Sequence, residues 1–128
     1  MKLFKVKRTI FDPYSPMDKL EISNDEYMIE ICVNNDCCES FASLELEYLS
    51  SVFNDVSHLE MELGDGDKLT THISQFPWET YTHVEQIKLK DSDNKTIFLV
   101  NIDYEEGSMK QIVHVKVSKK NNLFMDAN

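Results

Sequence analysis

The chain has little of what makes tight backbone approaches: three glycines and three prolines in 128 residues. A phosphate-cradling loop needs glycines at fixed spacing so that backbone can approach a ligand closely. Neither G-x-x-x-x-G-K-[ST] nor G-x-G-x-x-G is present, and G-x-S-x-G, C-x-x-C and H-x-x-x-H are missing as well. No apolar run approaches the roughly 20 residues that span a bilayer. The opening Met1-Lys2-Leu3-Phe4-Lys5-Val6-Lys7-Arg8 interleaves charge with apolar residues and does not read as a signal peptide. The expected compartment is therefore the cytoplasm.

Cysteine is also scarce and oddly placed. The three are Cys32, Cys37 and Cys38. An odd count without an export signal reads as reduced thiols, and adjacent cysteines cannot form an ordinary bridge. A structural zinc site takes four ligands, usually from two separated pairs, so no metal is expected on these thiols. A thiol nucleophile activated by His58, His72, His83 or His114 is the other option. Acidic surroundings raise a thiol's pKa and work against it. His114, among valines, reads as structural. Gly64-Asp65-Gly66-Asp67 shares composition with a calcium loop but lacks the twelve-residue spacing, and reads as an exposed turn. We therefore expect no catalytic residues, no metal and no cofactor.

Basic residues are nearly absent from one long window. Residues 1–11 hold four bases and no acids. Residues 12–67 hold fifteen acids against Lys19 alone, a balance of −14. Residues 68–128 hold eight of each sign. The whole chain carries −10. Such a field repels nucleic acid and attracts basic surfaces. Solubility alone is the plainer explanation for an acidic surface.

What is present is apolar patterning sufficient for one core: 41% of residues are hydrophobic, and a chain of this length buries roughly two thirds of its unfolded surface. Residues 3–11 alternate loosely as a half-buried strand, stopped by Asp12-Pro13-Tyr14-Ser15-Pro16. In residues 27–33, Tyr27, Ile29, Ile31 and Val33 share one strand face. Residues 44–56 place Leu49, Val52, Phe53 and Val56 at helical spacing and read as the one helix, although 41–48 is also compatible with a strand start. Residues 59–63 alternate as a short strand. Residues 84–90, 96–104 and 110–118 are three strand-like runs joined by short polar loops, which predicts an antiparallel meander. Val113, Val115 and Val117 should form the buried face of its last strand. The expected fold is α+β: an antiparallel sheet with a C-terminal three-stranded meander and one packed helix. It should occupy a single domain over residues 1–118, with a polar tail over 119–128 expected to fray.

One block carries a family resemblance. Asn35-Asp36-Cys37-Cys38-Glu39-Ser40 resembles the H-D-x-x-C-C-E-type block of an uncharacterised family of small phage, prophage and bacterial proteins. In that pattern a strand leads into the block, and an acidic stretch and a C-terminal β-meander follow. Asn34 stands where the family has its histidine, and residues 113–118 do not match its glycine- and tyrosine-rich ending. The resemblance implies a phage context rather than a chemistry.

Three function classes follow: a protein-binding inhibitor, a small-ligand or nucleotide-signal sequestering protein, and an enzyme. The first is preferred. A compact acidic domain without a catalytic constellation can cover the nucleic-acid groove of a basic enzyme. That makes it an anti-defence inhibitor of a bacterial nuclease, of the kind that blocks CRISPR effectors, or an immunity protein against a basic toxin. Neither nucleic acid nor membrane is an expected direct partner. The acids expected to face the partner are Asp36, Glu39, Glu45, Glu47, Asp55, Glu60, Glu62, Asp65 and Asp67. The aromatic stretch around Phe76, Trp78 and Tyr81 is the alternative surface.

Overall fold

The computed structural model describes residues 5–10, 17–34, 42–50, 55–75, 78–104 and 112–119. Among these there is no α-helix. The elements are β1 (Lys5–Ile10), β2 (Met17–Ser23), β3 (Tyr27–Asn34), β4 (Ala42–Tyr48), β5 (Val56–Leu63), β6 (Lys68–His72), a 3-10 turn over Ile73–Gln75, β7 (Trp78–Thr82), β8 (Val84–Asp91), β9 (Thr96–Tyr104) and β10 (Val113–Lys119). They make two five-stranded antiparallel sheets, ordered β1-β2-β3-β10-β7 and β4-β9-β8-β5-β6. The inner faces of both contribute to one hydrophobic cluster.

The expected α+β class and its packed helix are therefore corrected. Residues 42–48 are strand because Ala42, Leu44 and Leu46 alternate with Ser43, Glu45 and Glu47, and β9 supplies the matching inner face at Ile102 and Val100. The apparent helical stripe joined residues on either side of the β4–β5 connection. Val56 begins β5, and Val52 and Phe53 lie outside the described residues. A 3.6-residue spacing that bridges two strands is a coincidence that local pattern cannot expose.

The three-stranded meander is corrected too. β8 and β9 do form a hairpin, closed by Asp91, whose Oδ1 accepts from the backbone N–H groups of Asp93 and Lys95 at 3.0 and 2.9 Å. Asn94 takes φ 63° there, a conformation asparagine tolerates. β10 leaves this sheet. It inserts between β3 and β7 in the other one, across an eight-residue connection from Tyr104 to Val113. The expected facing of Val113, Val115 and Val117 holds: all three are buried on an interior strand. Lys119 is the last residue of β10, and the rest of the expected tail, residues 120–128, lies outside the described set.

Register explains the core. On the inner face of the first sheet Leu20, Ile31 and Val115 line up across three strands, as do Ile22, Ile29 and Val117. On the second, Leu46, Val100, Ile87 and Met61 form one row and Phe98, Leu89 and Leu59 the next. Cross-strand rows of branched and aromatic residues are what stabilise a sheet. β2 has no clear sequence signature because its inner face opens with a charge, Asp18, before Leu20 and Ile22.

Asp18 ties the sheets together. Its Oδ1 and Oδ2 accept from Arg8 Nε and Nη2 on β1 at 3.1 and 2.7 Å. Oδ2 also accepts from the backbone N–H of Leu44 on β4 at 2.8 Å. β4 is an edge strand, so this bond occupies a donor that an open edge would otherwise present.

Candidate partner-binding surface

Alternation along each strand of the second sheet sends one set of side chains inward and the other out. Its outer face is therefore fixed by register. One row runs Glu47, Leu99, Lys88, Glu60 and Thr70; the next runs Glu45, Asn101, Gln86, Glu62 and Lys68. Asp103 stands opposite Ser43 at the end of β9. The hairpin turn between β5 and β6 carries Asp65 and Asp67, and Asp55 lies at the opposite end of β5.

The nine acids expected to act together are thus divided. Glu45 and Glu47 sit on the edge strand, exposed. Glu60 and Glu62 lie three strand positions away, about 14 Å at ordinary inter-strand spacing. Asp36 and Glu39, with Cys37 and Cys38, fall outside the described residues.

The two groups also differ electrostatically. Glu60 Oε2 accepts from Lys90 Nζ at 3.1 Å, and both side chains are substantially covered. That hydrogen bond, with the nearby charges of Lys90, Lys68 and Lys88, holds the Glu60 carboxyl below its ordinary value against the effect of burial. Glu62 faces Lys68 across β5–β6. The β5 acids are thus interleaved with lysines from the C-terminal half of the chain. No base stands opposite Glu45, Glu47 or Asp103 in the register: their β9 and β4 partners are Asn101, Leu99 and Ser43.

The C-terminal end of the same strand exposes apolar surface, with Tyr48 in the inner-face row of Ala42, Leu44 and Leu46 and opposite Phe98. Tyr48 is 61% and Leu49 47% exposed. The Tyr48 ring meets Phe98 edge-on, with centroids 5.0 Å apart, which fixes its position while leaving most of it in solvent. Leu49 is held by its N–H, which donates to Ile97 O at 2.8 Å. An exposed aromatic held at the end of a strand whose outer face carries unopposed charges supplies an apolar contact and a separate polar one. The sequence pattern hid Tyr48 and Leu49, since both had been assigned to the helix.

The alternative aromatic surface is only partly there. Phe76 lies outside the described residues, and Trp78 packs against the core. Tyr81 is 63% exposed on edge strand β7. Its ring stacks on His114 with centroids 4.1 Å apart and an interplanar angle of 6°, and His114 Nε2 lies 2.9 Å from Glu79 Oε2.

The remaining chemistry is sparse. Cys32 is half-buried, and burial, aided by Asp18 and Glu30 and opposed by Lys19, pushes its thiol up. That suppresses the nucleophilic thiolate. Tyr104 donates its hydroxyl to Val84 O at 2.8 Å; burial and then Glu85 push its phenol up to about 12. An open cleft of about 310 Å³ is lined by Leu63, Gly64, Asp65, Thr82 and His83. Gly64 makes a close approach at its rim, where a Cβ would sit 3.0 Å from that of His83. Among the described residues no group of three or more histidines, cysteines and carboxylates is placed to hold a metal. No helix among them is long and apolar enough to cross a membrane. No protein-family model, characterised protein or solved structure matches the chain.

Proposed function

We propose that this protein is a non-enzymatic acidic inhibitor, phage-encoded and acting in the host cytoplasm, that covers the nucleic-acid-binding surface of a basic bacterial defence nuclease. The observation that carries the reading is the β4–β9 edge. There Glu45, Glu47 and Asp103 stand on the outer face without cross-strand bases, and Tyr48 and Leu49 are exposed at the C-terminal end of the same edge strand. Carboxylates spaced along an edge offer a basic groove the charge of a phosphate backbone, and they steer encounter. The aromatic ring supplies the desolvated contact that charges alone do not. The phage context rests on the Asn35–Ser40 block.

An immunity protein neutralising a basic toxin would use the same edge. Sequestration of a small nucleotide signal is less favoured, because the described cleft presents Asp65 and no lysine or arginine among its named lining residues.

The test is inhibition of nucleic-acid cleavage by a panel of basic defence and toxin nucleases. Wild-type protein should block at least one at near-equimolar amounts, compete with its nucleic acid, and associate more slowly as salt rises. Glu45→Lys combined with Glu47→Lys and Asp103→Lys should slow association at least tenfold and flatten the salt dependence. Tyr48→Ala should act mainly on dissociation, costing about 2 kcal/mol if the ring is an anchor. A triple variant that inhibits as well as wild type at low and moderate salt would refute the acidic-edge reading.

A further inference from the structure

Two histidines outside that edge form a pair the proposed inhibition does not use. His58 on β5 and His72 on β6 are directly opposed in the antiparallel register. Both lie on the outer face of the second sheet, His72 exposed and His58 partly covered. Their ring centroids are 5.8 Å apart, with the rings tilted at 49°. Nδ1 of His58 is buried and has no hydrogen-bond partner among the described residues. A buried imidazole nitrogen without a partner is costly in an otherwise satisfied protein.

We propose that His58 and His72 form a two-histidine site for a divalent transition-metal cation. An imidazole nitrogen binds such an ion at about 2.0–2.1 Å, which puts each ring centroid roughly 3.2 Å from it. Two rings sharing one tetrahedral ion would have centroids about 5.2 Å apart, so the observed 5.8 Å needs a side-chain movement of roughly half an ångström to close on it. Imidazole suits zinc, nickel and copper, with affinity rising towards copper, while water completes the open positions. The neighbouring cation is restrained: Lys90, opposite His58 in the register, holds its Nζ 3.1 Å from Glu60 Oε2. Coordination through Nδ1 would give that nitrogen the partner it lacks among the described residues. It would also clamp edge strand β6 to β5, and so close that side of the sheet.

The probe is Ni²⁺ titrated calorimetrically into untagged, chelator-free protein at pH 7.5, with thiols kept reduced. One equivalent should bind. His72→Ala and His58→Ala should each weaken binding at least tenfold, whereas His83→Ala and His114→Ala should bind as wild type. His72 is exposed on an edge strand, so His72→Ala should keep the native circular dichroism spectrum. A second readout is the thermal midpoint, which Ni²⁺ should raise for wild type and leave unmoved for His72→Ala, since a ligand of the native state stabilises by mass action. Acidification below the histidine range should abolish binding, because protons compete for the same nitrogens. Binding by His72→Ala within twofold of wild type overturns the site and points to the thiols, and so does no binding by wild type at millimolar Ni²⁺.

Discussion

Removing the Asp18 carboxylate tests whether the two sheets are held as the hydrogen bonds indicate. Asp18→Ala deletes two interactions of different worth. The Arg8 pair is bidentate at 3.1 and 2.7 Å, but the arginine side chain is 41% exposed, so solvent screening limits its value to about 1 kcal/mol. The Leu44 N–H is different. Leu44 is fully buried, and its N–H donates to Asp18 Oδ2. Orphaning a buried donor costs about 1–3 kcal/mol. The expected destabilisation is therefore about 2–4 kcal/mol. Asp18→Asn is the control. Its carboxamide oxygen still accepts from Leu44 and it removes the same negative charge, so it should cost about 1 kcal/mol or less. Urea denaturation at pH 7 with an unchanged m-value measures both. Hydrogen exchange at the Leu44 amide gives a local readout: protection should fall in Asp18→Ala and persist in Asp18→Asn. Equal losses in the two variants, or a loss below about 0.5 kcal/mol in Asp18→Ala, would refute Asp18 as the cap on the β4 edge.

Two further outcomes complement the inhibition and Ni²⁺ experiments. Val115→Ala, on an interior strand and fully buried, should destabilise by about 1–3 kcal/mol through lost burial plus a cavity; a change under about 0.5 kcal/mol in chemical denaturation would mean that its facing is misassigned. Because the folded Glu60 carboxyl titrates below its ordinary value, its stabilisation is complete above the unfolded glutamate range and fades as pH falls through the depressed folded value. Lys90→Met should remove that contribution and flatten the acid limb of stability against pH, and an acid limb as steep as that of wild type would show the pair to be inert.

Charge segregation and strand-scale alternation were legible in the primary structure, because both are local properties. Residues 27–33, 59–63, 84–90 and 96–104 alternate strongly enough that β3, β5, β8 and β9 follow from side-chain period alone. The burial of Val113, Val115 and Val117 follows from the same period. β2, β6 and β7 did not stand out. Asp18 and Thr71 occupy buried positions there, and Asp18 is acceptable because Arg8 and the Leu44 N–H, both distant in sequence, donate to its carboxylate.

Tertiary structure alone decided three things. It made residues 42–48 a strand, because β9 offered a complementary inner face that no helix could have used. It took β10 away from β9 and placed it between β3 and β7, although β9 carries the same branched apolar residue types as β3 and β7 carries none. It also set where the acidity acts. The −14 of residues 12–67 suggested one acidic face, yet the lysines of β6 and β8 lie against Glu60 and Glu62, leaving Glu45, Glu47 and Asp103 as the group without bases across from it. Net charge is fixed by composition, but the field depends on which strands become neighbours, and pairing between distant segments is not a local property of the chain.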